Sequence, residues 1–159
     1  MGFTGTTTEV VLGNSGIQRL PTSQREWNYF IQNLDIALRG QTATFTADWT
    51  GFSTAQSSTV TYLRKGTVVT IQLPQFGATS DATTLESGAT DVPAEIRPLS
   101  GKMGAFITRD NGTFISGTID VSAAGQIRFG ATNLIGLGGF TSSGDKGFRG
   151  IQSFTYLLD

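Results

Sequence analysis

"KMGAFITRDNGTFISGTID", residues 102–120, places two runs rich in β-branched and aromatic residues on either side of Asn111-Gly112. Asn-Gly is the dipeptide that best tolerates the positive φ angles of a type I′ turn, the turn whose twist matches two antiparallel strands. The stretch therefore reads as a hairpin with strands over 102–108 and 113–120. Working outward, "SAAGQ" (122–126) turns the second of these into a further strand over 126–131. "RKGT" (64–67) in the same way joins strands over 59–64 and 67–73. With "TATFTADW" (42–49) and the closing 149–158, these strands recur at short intervals between turn signals. That spacing is the mark of an antiparallel sandwich or barrel. The expected fold is mainly β: an antiparallel, jelly-roll-like sandwich head over residues 41–159. Residues 74–101 are expected to be a long crossing connection, with a strand near 82–89, 132–144 an irregular glycine-rich stretch, and "GDKGFRG" from residue 144 a glycine-rich turn into the closing strand.

Upstream the period changes. Ser23-Gln24-Arg25-Glu26 is a capping box, in which hydroxyl and carboxylate each satisfy an orphan backbone N–H at a helix start. A helix over about 23–39 follows, closed by Arg39 and Gly40. Its apolar residues Trp27, Ile31, Leu34 and Leu38 fall four, three and four apart, a d-a-d-a seam that Phe30 widens into a stripe. Two coverings for that stripe are open: the β domain of the same chain, or copies of the helix around a symmetry axis. The seam residues are oligomer-interface candidates. Residues 1–22 hold too few apolar residues for a core and read as a docking arm. Met1-Gly2 with Thr6 fits the myristoylation pattern by composition alone.

Charged residues make up 14% of the 159 and the net charge is −1, with lysines and arginines scattered singly. No basic footprint for nucleic acid or an anionic membrane is present, and no apolar run is long enough to span a bilayer. The amino terminus lacks the basic start and apolar run of a signal peptide, so synthesis in the cytoplasm of the producing cell is expected. Cysteine and histidine are absent. That removes disulfides, thiolate nucleophiles, the commonest general base and the commonest metal ligand.

Paired carboxylates are the catalytic chemistry left open, since glycoside hydrolysis needs two acids and no histidine. The candidates are Asp81, Glu86, Asp91, Glu95, Asp110 and Asp120, of which Asp81, Asp91 and Asp110 sit in sequence that also suits turns. Calcium-loop spacing does not occur, and "GLGG" (136–139) lacks the Lys-Ser/Thr and following helix of a phosphate cradle. The expectation is a non-enzyme with no cofactor and no metal. Most aromatics of a domain this size belong inside. Phe52, Phe76 and Phe140 fall in loops beside Gly or Thr and are the receptor-contact candidates, with loop packing or subunit contact as the alternative.

Several words taken in order resemble the carboxy-terminal β modules of bacteriophage tail-fibre and other virion structural proteins. They are Trp49 in "WTGFST", "DVPAEIRPLSGK" (91–102), "TIDVSAAGQIRF" (118–129) and Gly147 leading into "GIQSFTYLL" (150–158). The resemblance implies a homotrimer at the virion surface that contacts host glycans or proteins, held to other virion proteins by the amino-terminal arm. With few residues ahead of the module, a short spike fits better than a long fibre. A capsid decoration protein and, more distantly, a carboxylate-dependent glycan depolymerase are the alternatives. The closing strand has large apolar residues on both alternating sets. It is therefore expected to run centrally in a sheet, with Phe154 and Leu157 as further oligomer-interface candidates.

Overall fold

The computed structural model describes residues 9–11, 17–19, 22–131 and 139–159. The chain divides into two compact units, Met1–Gly40 and Gln41–Asp159.

In the first unit, β1 (Glu9–Val11) pairs antiparallel with β2 (Ile17–Arg19), with Val10 opposite Gln18. Helix α1 (Gln24–Arg39) starts on the expected capping box. Ser23 Oγ accepts from the Glu26 N–H at 3.2 Å, and Glu26 Oε2 accepts from the N–H groups of Ser23 at 3.2 Å and Thr22 at 2.7 Å. Gly40, at φ 87°, takes the left-handed position that ends helices.

The second unit is a two-sheet antiparallel sandwich. Its smaller sheet comprises β3 (Gln41–Trp49), β4 (Gln56–Lys65), β5 (Val68–Leu73) and β12 (Gln152–Leu157), in the order β12-β5-β4-β3. The larger comprises β6 (Phe76–Thr79), β7 (Leu85–Glu86), β8 (Lys102–Asp110), β9 (Thr113–Val121), β10 (Ile127–Gly130) and β11 (Asp145–Phe148). Its order is β6-β11-β8-β9-β10-β7. Hairpins join β8, β9 and β10, and β11 returns to lie beside β8, which makes a Greek key. The smaller sheet is a three-strand meander with β12 added beside β5. The sandwich is thus as expected, while its connectivity holds one Greek key within a single sheet, not the two of a jelly roll.

The short segment after Trp49 shapes the larger sheet. Thr50 N–H donates to Glu86 O at 2.8 Å and Ser53 N–H to Thr79 O at 3.0 Å, so β7 and β6, the opposite edges of that sheet, meet one stretch of chain. The sheet therefore curls back on itself at this end. Gly51 makes the approach possible: it sits at φ +89°, and a Cβ there would lie 3.0 Å from both Ala82 Cβ and Leu85 Cδ2. Inside the curl, Trp49 packs on Phe76, Phe129 and Phe148 at 5.7, 5.5 and 5.6 Å between ring centroids. Phe129 and Phe148 approach to 4.3 Å. Each such pair adds about 0.5–1.5 kcal/mol beyond the area it buries, and together they tie the two sheets to one another.

The long connection contributes more than a crossing. Beyond β6 and β7 it forms a 3-10 turn, Ala94–Ile96, that buries Ile96. Tyr156 OH donates to Ile96 O at 2.7 Å and Arg64 NH1 to Glu95 O at 2.7 Å, while Asp91 Oδ2 accepts from the N–H groups of Asp48 at 2.7 Å and Gly88 at 2.8 Å. Residues 88–97 are therefore a strap bonded to β3, β4 and β12.

Two expectations about the carboxy-terminal region need correction. The glycine-rich "DKGF" is itself strand β11, paired with β6 and β8, where a turn was expected. Strand β12 is not central but an edge, paired among the described residues only with β5. Phe154 and Tyr156 are buried in the core, and Leu157 is 59% exposed. The alternate set, Ser153, Thr155 and Leu157, is polar enough to face water, so only one face of the strand needs cover. The edge is guarded by side chains instead. The Gln152 amide accepts from Ile107 N–H at 3.0 Å and donates to Ile107 O at 2.7 Å, and Asp159 accepts from Ser100 N–H at 3.0 Å and pairs with Lys102. These bonds fasten β12 to β8 and to the residues just before it.

Gly104 lets this happen, because a Cβ there would lie 2.6 Å from Phe154 Cε2. Gly104→Val is expected to push β12 from β8 and lower stability by about 1–3 kcal/mol, the usual cost of overpacking. Urea unfolding of the two proteins side by side checks this, with Ser116→Asp, at an exposed position of β9, as a change that leaves the midpoint near wild type.

Candidate functional site

Three sets of residues were candidates, and the fold separates them. Among the loop aromatics, Phe140 is buried at 4% exposure and Phe76 at 8%. Phe140 meets Phe129 edge-on at 5.9 Å, and Phe52, half-buried, meets Phe76 edge-on at 5.0 Å. These rings extend the Trp49 cluster, and their burial removes Phe76 and Phe140 as receptor contacts. Gly51, beside Phe52, serves the curl of the larger sheet, and what looked like loop exposure at Phe76 and Phe140 is packing. Phe154 is likewise core, at 8% exposure, which removes it from the oligomer-interface candidates. Leu134, Ile135 and Leu137 lie outside the described residues.

The carboxylates are spread out and mostly engaged. Asp120, buried at 3%, pairs with Arg128, whose Nε lies 2.8 Å from Oδ2. Asp110 accepts from Thr141 N–H at 3.0 Å and Thr141 Oγ1 at 2.8 Å, closing the β8–β9 turn onto the following loop. Asp91 serves the strap described above. Glu95 accepts from Tyr62 OH at 2.8 Å. Its own backbone N–H, and then the Tyr62 hydroxyl, hold its carboxyl below the usual range, while burial followed by the Glu95 bond pushes the Tyr62 phenol up. Glu86 stands opposite Arg128 in the β7–β10 register, and Asp81 is exposed. Among the described residues no group of three or more Asp or Glu is placed to hold a metal ion.

The remaining set is the helix stripe. Trp27, Ile31, Leu34 and Leu38 are 40%, 58%, 46% and 62% exposed, and Trp27 meets Phe30 edge-on at 5.7 Å. Side chains of this kind, in one line on a 16-residue helix, form a contact surface without chemistry of their own. The β domain adds two shallow open grooves. One, of about 360 Å³, runs between β8 and β12 beside Ala105, Ile107, Ser116, Gln152 and Ser153. The other, of about 240 Å³, lies at the end of β3 beside Asp48, Thr50, Gln56 and Ser57.

Two polar groups were not anticipated. Lys146 points into the sandwich and is fully buried, with Nζ donating to Ser80 O at 2.8 Å and Ala82 O at 2.9 Å. Burial depresses its pKa, offset by the charges of Asp110 and Asp81. It braces the segment facing Gly51, and the alternation of β11, with Phe148 on the same side, was the signal for its inward aim. Asp159 is the second. Its bond to Lys102, and then those to Ser100, hold its carboxyl down to about 2 from an ordinary 3.8.

No protein-family model and no curated protein matches this sequence. Among solved structures, the chain is similar to a reovirus attachment protein, sigma1, crystallised in complex with alpha-2,3-sialyllactose. The identity is 16%, over 97% of this chain and 87% of that one, with a TM-score of 0.47. At that identity and superposition, what the sigma1 protein binds says nothing of what this chain binds.

A carboxyl depressed in the folded state stabilises it fully above the unfolded value and loses that contribution as pH falls through the folded one. Asp159→Asn is therefore expected to lower the urea midpoint at neutral pH, with the gap to wild type closing between about pH 4 and pH 2. Because the pair is solvent-exposed, added salt is expected to narrow the gap as well. Midpoints measured across that range check both.

Proposed function

We propose that this chain is a non-enzymatic virion structural protein, a short spike or fibre component of a bacteriophage that attaches the particle to its host and assembles as a homotrimer. The observation that carries the reading is the exposed Trp27–Ile31–Leu34–Leu38 stripe on a helix that the chain joins to the sandwich through Gly40. A bare apolar seam joined to a low-charge, filled β domain suits a protein that works by assembling and touching. The shared words with phage fibre modules, from "DVPAEIRPLSGK" to "GIQSFTYLL", supply the virion context. The engaged carboxylates speak for the same side, since Asp91, Glu95, Asp110 and Asp120 each hold a backbone or side-chain partner in place.

At under three heptads the helix alone binds its copies weakly, so trimer and β head act together. Host contact by three linked heads gains from effective concentration, commonly 10²- to 10⁴-fold. Leu34→Asp with Leu38→Asp is expected to yield monomers by sedimentation and to weaken binding of the purified protein to host cells by a factor of about that size. Particles lacking the protein are expected to lose adsorption while staying intact. Intact adsorption with fragile particles would turn the reading to capsid decoration, and release of sugar from purified host glycan would turn it to an enzyme.

A further inference from the structure

Strand β8 has β9 along one side for its whole length, and its other side is filled only in part. Ile107 shows which groups point to that second side, because its N–H and C=O both meet the Gln152 side chain. Successive residues of a strand turn their backbone groups to opposite sides, so those of Met103, Ala105 and Arg109 point the same way as those of Ile107. These four residues are rungs for a neighbouring strand. At Arg109 the rung is taken by Gly147 of β11, which stands opposite it. At Ile107 it is taken by a side chain: Gln152 Oε1 accepts from the N–H at 3.0 Å, and Nε2 donates to the carbonyl at 2.7 Å. Exchange of both bonds with a single residue is what the facing residue does in a hydrogen-bonded antiparallel pair. The Gln152 amide therefore stands where a peptide group of a longer β11 would. After Phe148 the chain leaves β8 and returns as β12 in the other sheet. Among the described residues no backbone or side-chain group bonds to Met103 or Ala105 on this side. Both are exposed, and Ala105 lines the open groove of about 360 Å³ with Phe106, Ile107, Ser116, Gln152 and Ser153.

We infer that this groove takes a short extended segment of another polypeptide, which adds to β8 in line with β11. The inference goes beyond the assembly reading and does not depend on it. The rungs themselves specify the occupant. Met103 and Ala105 each offer one N–H and one C=O toward the groove, at the two-residue repeat of a strand, and an extended backbone carries the matching groups at the same repeat. The Gln152 amide, the side-chain group chemically nearest to a peptide, already makes that match at the next rung. Strand addition of this kind draws affinity from the main chain and specificity from the side chains on alternate positions. Two vacant rungs take three residues in register, or about five with those on either side. Gln152 bounds the stretch at one end, and the Lys102–Asp159 pair bounds it at the other. An incoming side chain opposite Gly104 would point the way a Cβ on Gly104 would, toward the Phe154 ring, so only a small one fits. One opposite Ala105 would share its exposed side and can be polar. None of the residues lining the groove is charged. The segment that fits is thus short, uncharged and of alternating small and polar residues.

The test uses the isotope-labelled full chain and, as probe, an end-capped pentapeptide of alternating threonine and alanine, with its N-methylated form as control. In the chain alone, the Met103 and Ala105 amides are expected to exchange with deuterium at least about tenfold faster than those of Gly104 and Phe106, which face β9. Millimolar peptide is expected to slow these two amides and shift their resonances, and the N-methylated form, which lacks the donors, to do neither. Gln152→Ala empties a third rung. It is expected to bind the peptide at least threefold more tightly and to bring Ile107 into the slowed set, whereas loss of a mere brace would bind no better. Ala105→Pro removes an N–H that β9 does not use, and is expected to abolish the response with circular dichroism unchanged. Slow exchange at Met103 and Ala105 in the dilute chain alone overturns the inference. So does an equal response to both peptides, or no response from wild type and Gln152→Ala alike. Protection that grows with the concentration of the chain alone would give the groove to a copy and overturn the choice of partner. The homotrimer reading is decided separately by sedimentation: a monomer would leave the groove as argued, and an empty groove would leave the trimer.

Discussion

The β domain depends on one short stretch of backbone, from Trp49 to Ser53, reaching both edges of the larger sheet at once. A six-stranded sheet with two bare edges would offer two templates for aggregation. Here both edges are drawn to the same few peptide groups, and the indole just before them fills the space that the curl encloses. Gly51 is the hinge of that arrangement, since a side chain there would meet Ala82 and Leu85 from a backbone conformation that side chains disfavour. Phe76, Phe129 and Phe148 take their places because the curl brings their strands around Trp49.

Polar groups in this protein are spent on holding irregular backbone. Arg97 illustrates the pattern, with Nε on Val92 O at 2.7 Å and NH2 on Thr90 O at 3.0 Å, its guanidinium lying against Gly125, where a Cβ would come within 2.4 Å of Nε. Arg64 and Tyr156 do the same for the carbonyls of Glu95 and Ile96, and Tyr62 donates to the Glu95 carboxylate. A chain with few charges has placed many of them on loops, which stiffens the connections and leaves one sheet face nearly free of charge.

Local signals were legible in the sequence and non-local ones were not. The capping box at Ser23 and Glu26 and the turns at Gly66, Asn111-Gly112 and Gly125 are decided by nearby atoms, and each element they delimit lies where those residues put it. Strand β11 was hidden because Gly147, at φ 154°, reads as a turn residue until one sees that a Cβ there would strike Phe76 O. The glycine is needed for strand packing. The burial of Phe76 and Phe140 was hidden too, because it follows from a curl made by pairings far apart in sequence. The edge position of β12 was missed by weighing Leu157 as if it needed cover, when Ser153 and Thr155 beside it already mark that face as wet. The α1 stripe was the clearest part of the candidate surface, since helical spacing is a local property.

The side-chain bonds that tie β12 to β8 bear on how the domain opens. An edge strand held only by its ladder opens one residue at a time, and such fraying sets the low end of local stability. Strand β12 is pinned near its start by Gln152 on Ile107 and past its end by Asp159 on Ser100 and Lys102. Residue-by-residue unzipping of this edge is thereby blocked, and the strand has to leave as a unit together with Phe154 and Tyr156. Local opening of this edge is thus coupled to exposure of the core.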